Sequence, residues 1–432
     1  MTNQASTGQD VPATATGRLA ARRTILTRIL LAGLMVSTFG AGIGVERYGF
    51  GEDGNVNASS SFVDSPTFET LQTTWDLIHD TYIDESAIND ETLIFGAAKG
   101  MVESLGDTGH STFLAPDEAE SFQNSANGEL IGIGVELNFE NGQPVVISPI
   151  DGSPADAAGV KSRDVIVAID GVETGRLSQT EIFHALRGKE GTVVEVTFER
   201  PGDDSTFNVK LTRAKIIIEP VSWTMLPENV ALIRLSGFSR GATDALRDAL
   251  EESKAAGAAS MILDLRDNPG GLVLEAIGVA SQLLPEGTPI YQLQERGEEP
   301  RPVRTTGLGI GTEIPMVVLV NGGSASSAEI VASAVQENDR GTVVGEVTFG
   351  TGTVLTPNEL EDGSIVMLGT GFWLTAKGNQ LWHVGVTPTI EIVLSEDGSA
   401  VKPSDVNGLT VEEIAALNDN QLMFAFDELT KP

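Results

Sequence analysis

Two glycine-rich turns carry the residues with the clearest chemical potential. Residues 267–271, "DNPGG", follow the apolar run "MILDLR", and residues 321–327, "NGGSASS", follow "MVVLV". Each turn leads into a helical pattern, and the start of a helix presents free N–H groups and the positive end of the helix dipole. Such donors can hold the oxyanion of a tetrahedral intermediate. Ser326 would then be an attacking hydroxyl, although serine is also a preferred N-cap residue, so a capping role stays open.

A serine remains a weak nucleophile unless a base takes its proton. The chain has four histidines, at positions 79, 110, 184 and 383. His79 and His184 lie within helical patterns, which predicts surface or packing roles. His110 lies in the glycine-flanked turn "LGDTGHSTFL", where it is either structural or a base. A neutral imidazole, whose unperturbed pKa is about 6.5, is suited to accept a serine proton.

From residue 216 onward, apolar strand patterns alternate with helical ones. This alternation predicts a mostly parallel sheet covered by helices, with ligands bound beyond the carboxyl ends of its strands. A hairpin of "SIVMLGTGFWLT" and "QLWHVGV" is predicted to follow. The tail "TVEEIAALNDNQLMFAFDEL" has a helical pattern.

Residues 126–213 form short β-rich runs that are separated by glycine turns and include one helical segment, "SQTEIFHALRG". Their order, "GIGVEL" followed by "SPADAAGVKSRDVIVAIDG", resembles a PDZ domain, although Arg163 stands where such domains usually have glycine. An unrelated small β-barrel is the alternative. The resemblance implies that a peptide adds as a strand beside "GIGVEL". Backbone N–H groups around Gly132, Gly134 and Val135 would then bind its C-terminal carboxylate.

Composition excludes several classes of protein. The chain has 432 residues, which predicts two or three domains, and its net charge of -34 argues against binding to nucleic acid or anionic lipid. The absence of cysteine excludes disulfides, thiol catalysis and cysteine-ligated metals. No metal-binding spacing is visible, and the glycines of "GIGIG" lack the βα context of a dinucleotide site, so no cofactor is predicted.

The N-terminal region predicts a membrane anchor. Four arginines between residues 18 and 28 precede the uncharged run "ILLAGLMVSTFGAGIGV", residues 29–45, which as a helix would extend about 25 Å. The basic flank predicts a cytoplasmic N-terminus, with the chain from about residue 50 outside the cytoplasm. A cleaved signal peptide, and therefore a secreted protein, is the alternative. By residue range, the predicted organisation is 1–28 cytoplasmic tail, 29–45 transmembrane anchor or signal segment, 46–65 linker, 66–125 helical region, 126–213 PDZ domain, 214–395 α/β catalytic core and 396–432 C-terminal helical tail.

The order of these segments resembles the C-terminal processing peptidases over roughly residues 66–430. The motifs that carry the resemblance are "LDLRDNPGG", "VNGGSASSAEIVASAVQENDRGTVVGEVTFGTG" and "GVTPTIEI". The resemblance implies a mixed α/β, multidomain chain with a ClpP/crotonase-like catalytic core. It also implies that Ser326 is the nucleophile. The N–H of Gly270 or Gly271, together with that of Ser327, would form the oxyanion hole.

The chain departs from this family at the base. The family usually has a lysine twenty-five residues after the nucleophile and a glutamine four residues later, where this chain has Thr351 and Leu355. A threonine hydroxyl cannot replace a lysine as base near neutral pH. The related tricorn-type proteases have a Leu-Gly-x-x-His pattern whose histidine is the base, which implies that role for His110. His383 is a secondary candidate and Lys377 a third.

Two functions therefore remain open. The first is a serine endopeptidase that cleaves exported proteins near their C-termini after PDZ-mediated recognition. The second is a catalytically inactive PDZ-containing peptide-binding scaffold. In both cases the expected partners are proteins or peptides with free C-termini, and a homo-oligomer is left open.

Overall fold

The computed structural model describes residues 67–106, 111–140, 142–150, 152–161, 163–200, 206–395 and 398–431. They form two compact units, one of residues 131–216 and one that combines residues 67–130 with 217–431. The apolar segment 29–45, predicted to be an anchor or signal segment, lies outside the described residues. Within the described ranges, no helix is both long enough and apolar enough to cross a bilayer.

The described chain begins with three helices and one short strand. They are α1 (Phe68–Thr81), α2 (Asp90–Glu103), β1 (Thr112–Leu114) and α3 (Pro116–Ala126). Asn89 caps α2 by accepting a hydrogen bond from the Thr92 N–H, and Pro116 starts α3 at a position where a helix needs no N–H donor. Strand β2 (Glu129–Gly132) follows and pairs with β9 (Ala214–Ile217).

The unit of residues 131–216 is an antiparallel β domain with two helices. Its elements are β3 (Val135–Glu140), β4 (Gln143–Pro149), α4 (Pro154–Ala157), β5 (Val165–Ile169), β6 (Val172–Glu173), α5 (Gln179–Leu186), β7 (Val193–Glu199) and β8 (Thr206–Thr212). The strand order is β3-β4-β5-β7-β8, so β3 lies at an edge, and β6 pairs with β5. Alternate side chains of β7 are buried in the core, as expected for a strand with one face covered. Helix α5 starts with a capping box between Ser178 and Glu181.

The other unit is built on a six-stranded sheet in the order β10-β11-β12-β15-β16-β19. Its strands are β10 (Val221–Leu226), β11 (Val230–Leu235), β12 (Ser260–Asp264), β15 (Met316–Val320), β16 (Thr342–Gly345) and β19 (Ile390–Glu391). Every neighbouring pair is parallel except β10 and β11. The mostly parallel sheet is therefore the one that the alternating sequence pattern predicts.

Helices cover both faces of this sheet. One face packs against α6 (Ala242–Ala255), α7 (Val273–Leu283) and α8 (Ser327–Glu337). The other packs against the C-terminal helices α9 (Pro403–Val406), α10 (Val411–Ala415) and α11 (Asn420–Thr430). The strands β11, β12 and β15 are buried along their whole length, which explains their continuous apolar sequence.

A second sheet of this unit contains β1, β13 (Pro289–Glu295), β14 (Arg301–Arg304), β17 (Thr353–Glu359) and β18 (Ile365–Thr375). The predicted hairpin is present only as an isolated antiparallel bridge between Leu374 and Gln380, and its second strand does not continue beyond it. β18 pairs with the preceding strand β17, and residues 382–384 form a turn. The Asp362–Gly363 turn supports the pairing of β17 with β18, because Asp362 accepts hydrogen bonds from Ser364 and Gly363 adopts a positive φ.

Candidate active site

The structure brings the two glycine-rich turns together. They follow β12 and β15, which are adjacent parallel strands, so both turns lie at the same edge of the sheet. The Asp267 N–H donates to Asn321 Oδ1 at 2.9 Å, and the Ala325 N–H donates to the Asn268 carbonyl at 2.9 Å. The Ser324 hydroxyl donates to the Leu265 carbonyl at 2.7 Å. Ser324 is thus a structural link between the turns.

Ser326 occupies a strained position at the start of α8. Its φ is 53° and its ψ is -116°, a conformation that non-glycine residues adopt at a cost and usually at functional sites. Only 5% of the residue is exposed. The Ser326 Oγ makes no hydrogen bond to any described residue, whereas its N–H donates to Glu329 Oε2 at 2.9 Å. The backbone is anchored and the hydroxyl is left available.

The two glycines of the first turn have different roles. A Cβ on Gly270 would lie 2.7 Å from the Ser326 Cβ and 3.0 Å from the Ser327 nitrogen, so this close approach requires glycine. The Gly270 N–H already donates to Asn268 Oδ1 at 2.8 Å. By contrast, the N–H groups of Gly271 and Ser327 have no acceptor among the described residues. The Ser327 hydroxyl holds the two turns together by donating to the Gly271 carbonyl at 2.8 Å. Of the two glycines, the geometry therefore favours Gly271 as oxyanion donor.

Sequence reasoning missed Glu329, which lies at the centre of this site. Its carboxylate is fully buried and accepts four hydrogen bonds. Oε2 accepts from the N–H groups of Ser326 and Thr351 at 2.9 and 2.8 Å, while Oε1 accepts from the Gly350 N–H and the Thr348 hydroxyl. Burial raises the pKa of Glu329 to about 7, although the four hydrogen bonds oppose this rise. The Ser-x-x-Glu spacing at a helix start is a signal that indicates only a capping box.

Glu329 does not itself provide the missing base. A carboxylate has about four lone-pair sites, and four donors already occupy those of Glu329. None remains for the proton of the Ser326 hydroxyl. The carboxylate instead ties the nucleophile turn to residues 348–351.

The positions of the family's lysine and glutamine hold residues with no basic group. Thr351 is 2% exposed, and its Oγ1 has no hydrogen-bond partner among the described residues. Leu355 is buried in an apolar cluster with Ala119, Ile365 and Met367. Leu355 is thus a core residue.

The histidines are placed differently from one another. His110 lies outside the described residues, but its neighbour Ser111 is anchored to β18, because the Ser111 Oγ accepts a hydrogen bond from the Gly369 N–H at 2.9 Å. Gly369 in turn pairs with Leu355. His383 has an exposed side chain, and its N–H donates to the Gly350 carbonyl at 2.9 Å.

The remaining candidates are exposed or make other contacts. The His79 ring stacks on Trp75 and hydrogen-bonds to Asp90, which fits the predicted packing role. His184 is exposed on α5 in the other unit, and Lys377 is exposed in the turn after β18.

The β domain presents the features that peptide binding by strand addition requires. In the described part of the chain, β3 pairs on one side with β4, and its other edge carries no strand. Gly134 has a φ of 79°, and a Cβ there would lie 2.2 Å from the Ser153 Cβ, so the turn between Gly132 and Val135 depends on glycine. Phe139 of β3 contacts Phe183 of α5, with ring centroids 5.7 Å apart. Helix α5 therefore packs against β3.

Comparison with known proteins agrees with this arrangement. Residues 229–392 match the model of peptidase family S41, and residues 131–211 match that of the PDZ domain, which confirms the PDZ prediction. The carboxy-terminal processing protease CtpA of Bacillus subtilis is 35% identical over 329 residues, covering 76% of this chain and 70% of that protein. The carboxyl-terminal-processing protease of Synechocystis is 34% identical over 340 residues, covering 77% and 79%.

Solved structures show the same similarity. The photosystem II D1 C-terminal processing protease has a TM-score of 0.50 and 27% identity, covering 76% of this chain and 94% of that one. A structure described as a putative S41 protease from Bacteroides fragilis has a TM-score of 0.54 at 16% identity, covering 82% and 97%, which shows a shared fold.

Proposed function

The chain belongs to peptidase family S41 as a serine-type carboxy-terminal processing peptidase, and we propose that it cleaves exported proteins near their C-termini with Ser326 as nucleophile. The observation that carries this proposal is the strained Ser326 turn. Within the described residues, the Ser326 hydroxyl makes no hydrogen bond and the N–H groups of Gly271 and Ser327 have no acceptor, while the Ser327 hydroxyl ties the two turns together. These are the parts that acyl transfer needs.

His110 is the base in this proposal. Three observations support it. Glu329 has no free lone pair, Thr351 has no basic group, and the segment next to His110 is anchored through Ser111 to Gly369. Gly369 lies on β18 and pairs with Leu355 of β17, four residues beyond Thr351. The hydrogen bond from Gly369 therefore holds Ser111 close to the strand that follows Thr351.

The reaction then follows the course of a serine peptidase. The Ser326 Oγ attacks the scissile carbonyl carbon while its proton passes to His110, and the carbonyl oxygen becomes negatively charged between the Gly271 and Ser327 N–H groups. The C–N bond breaks as His110 donates the proton to the leaving amine. Water then attacks the acyl-enzyme, and the Ser326 hydroxyl is restored.

Substrate recognition is proposed to use the PDZ domain. A substrate C-terminus would add as a strand to β3, with its carboxylate held by backbone N–H groups around Gly132, Gly134 and Val135. Amidation of a peptide's C-terminus should then weaken binding clearly, and equal affinity of the acid and amide forms would exclude carboxylate capture.

The proposed location is the membrane, with residues 29–45 as a single-pass anchor and the chain beyond about residue 50 outside the cytoplasm. A reporter that works only in the cytoplasm, fused after Pro432, should be silent. A cleaved segment would release the protein, which an intact-mass measurement of the mature N-terminus would reveal.

A fluorophosphonate probe and a peptide library test the catalytic proposal. Ser326→Ala and His110→Ala should be similarly inactive, and the double variant hardly worse, because a nucleophile and its base act as a unit. His184→Ala is the matched control, since this exposed histidine lies in the other unit, and it should retain full activity. Activity should fall on acidification as the His110 imidazole protonates.

The outcomes separate the alternatives. Near wild-type turnover of His110→Ala, with Ser326→Ala inactive, would exclude His110 and make His383 the next base to test. Absence of any Ser326-dependent reaction would favour the inactive peptide-binding scaffold, the reading that Thr351 and Leu355 support by replacing the lysine and glutamine.

A further inference from the structure

A buried group of charges lies where the first glycine-rich turn begins. Arg266, which directly precedes residues 267–271, is fully buried, as are its partners Asp264 and Asp419. Its Nε and Nη2 donate to the two carboxylate oxygens of Asp264 at 2.9 and 2.8 Å, and its Nη1 donates to Asp419 Oδ2 at 2.8 Å. Buried ion pairs are often no more stabilising than apolar residues of similar volume. The presence of these charges at this point of the fold therefore needs a reason other than stability.

The C-terminal tail holds the far end of the guanidinium. Asp419 is the N-cap of α11. Its Oδ1 accepts a hydrogen bond from the Leu422 N–H at 2.9 Å, and its Oδ2 accepts one from the Val401 N–H at 3.0 Å. Both donors are backbone groups, so they fix the position of the carboxylate independently of Arg266. The Gln421 side chain adds a third acceptor atom for Nη1, at 3.2 Å. Arg266 is thus held from α11 as well as from β12.

The same contacts set the direction in which the chain enters the turn. The Arg266 backbone N–H donates to Asp264 Oδ1 at 3.0 Å, and the same oxygen accepts from Nε, so one carboxylate holds both main chain and side chain. Two residues later, Asn268 Nδ2 donates to the Leu235 carbonyl at 2.6 Å. The turn is therefore anchored where it begins and again at Asn268.

The course of the turn decides where the Gly271 N–H points. The Gly270 carbonyl accepts a hydrogen bond from the Phe238 N–H at 2.8 Å. In a trans peptide the carbonyl and the following N–H point in opposite directions, and the described residues contain no cis peptide. The Gly271 N–H is therefore directed away from the Phe238 backbone. Because a Cβ on Gly270 would lie 2.7 Å from the Ser326 Cβ, a shift of this turn would also move the donor relative to the nucleophile.

We infer that Arg266 is a positioning residue for the oxyanion hole and that helix α11 takes part through Asp419; the inference rests on the proposed function. Being fully buried, Arg266 acts through the turn that follows it. Its planar guanidinium presents donors to both carboxylates in a fixed geometry, which a lysine ammonium does not reproduce. By holding the start of the turn, Arg266 keeps the Gly271 N–H directed at the position that the oxyanion occupies.

The test compares the ester and the thionoester of one short acylated peptide. Sulfur is a weak hydrogen-bond acceptor, so an oxyanion hole favours the ester, whereas a loss of folded enzyme lowers both rates equally. The ratio of the two kcat/KM values therefore reports the oxyanion hole separately from stability. We expect this ratio to fall about tenfold or more in Asp419→Asn and in Arg266→Lys, since removal of one oxyanion donor costs about 10²–10³ in kcat.

The variants are compared at a temperature at which each is folded. Arg266→Lys keeps the charge balance of the buried group and changes only the geometry of its donors. Arg340→Met is the matched control. Arg340 donates to three backbone carbonyls, among them that of Ile314, which precedes β15 at the end of the sheet opposite to the glycine-rich turns. Its replacement should lower the melting temperature and leave the ratio within about twofold of the wild-type value.

The outcomes separate the inference from the proposed function. A wild type without Ser326-dependent hydrolysis of the ester overturns both. A wild type that hydrolyses ester and thionoester equally well overturns the inference alone, and so does a folded Asp419→Asn or Arg266→Lys variant whose ratio stays within about twofold of the wild-type value. An equal fall of the ratio in Arg340→Met also overturns it. If only one test variant folds, that variant decides; if neither folds, the charges serve folding and the inference is overturned.

Discussion

Replacement of Glu329 by glutamine tests how the nucleophile is held in place. Glutamine keeps the shape but turns one acceptor oxygen into an NH2 donor. The arrangement that costs least keeps the remaining oxygen on the Ser326 and Thr351 N–H groups and points the NH2 at Thr348 and Gly350. The Thr348 hydroxyl, which already accepts the Val386 N–H, can rotate to accept the NH2 as well, but its own proton then loses its acceptor, and so does the Gly350 N–H. Two buried donors are therefore left unsatisfied, which lowers the free energy of unfolding by at least about 2 kcal/mol, at about 1 kcal/mol or more for each.

The replacement should also lower the activity of the folded variant. Glu329 opposes relaxation of the strained Ser326 backbone, and a displacement of about 1 Å at a reacting group can cost about 100-fold in rate. We expect kcat to fall by about that factor at a temperature where the variant is folded. Glu329→Ala, which leaves all four donors unsatisfied, should lose at least about 4 kcal/mol.

The assay combines urea unfolding with the rate of fluorophosphonate labelling. Glu275→Gln is the matched control, because Glu275 also accepts three hydrogen bonds at a helix start, from the Gly241 N–H and from the N–H and hydroxyl of Thr243. It should lose similar stability and keep its labelling rate. A Glu329→Gln variant that labels at the wild-type rate, or a Glu275→Gln variant that labels as slowly, would refute this reasoning.

Three other perturbations test other parts of the structure. Burial raises the pKa of Glu329 from 4.5 to about 7, so the protonated side chain stabilises the folded state. The free energy of unfolding of the wild type, relative to Glu329→Gln, should therefore be greatest below about pH 4.5. It should fall by up to about 3 kcal/mol as the pH rises to 7, which urea unfolding measures. Gly270→Ala should reduce labelling at least about 100-fold, because the new Cβ would displace Ser326. Asp419→Asn should cost about 3–5 kcal/mol of unfolding free energy, because it removes a charge that pairs with the fully buried Arg266 at 2.8 Å.

Each of these has a control. A pH-independent stability difference would show that Glu329 stays ionised throughout that range. Gly287→Ala shares the positive φ of Gly270, but a Cβ there meets no atom within 4 Å, so labelling should persist. Asp248→Asn removes an exposed partner of Arg247 at 3.7 Å and should change stability by no more than about 0.5 kcal/mol. Loss of labelling in Gly287→Ala, or equal destabilisation by Asp248→Asn, would contradict the respective argument.

Local sequence patterns account for those parts of the fold and of the candidate site that could be predicted. The two strand-turn-helix segments, the PDZ-like domain and the position of Ser326 are each specified by contiguous residues, because strand pattern, glycine turn and helix start follow one another along the chain. The absence of the family's lysine, whose position Thr351 occupies, can likewise be read directly from the sequence. The predicted second strand of the β18 hairpin stops at Gln380, because β18 pairs instead with β13 and β17, and Pro357 makes β17 itself hard to recognise from the sequence.

The sequence by itself determined the family and the absence of the family's lysine, and it predicted Ser326 as nucleophile, since these depend on residue identity and spacing. Only the tertiary structure decided which groups meet. The Asn268 side chain accepts a hydrogen bond from the Gly270 N–H, so the Gly271 N–H is the one without an acceptor among the described residues. The Glu329 carboxylate, at the start of α8, accepts a hydrogen bond from the Thr351 N–H. The reason is physical: hydrogen-bond partners far apart in the chain are chosen by how the sheet and helices pack, and one buried carboxylate can satisfy four donors only after that packing has brought them to it.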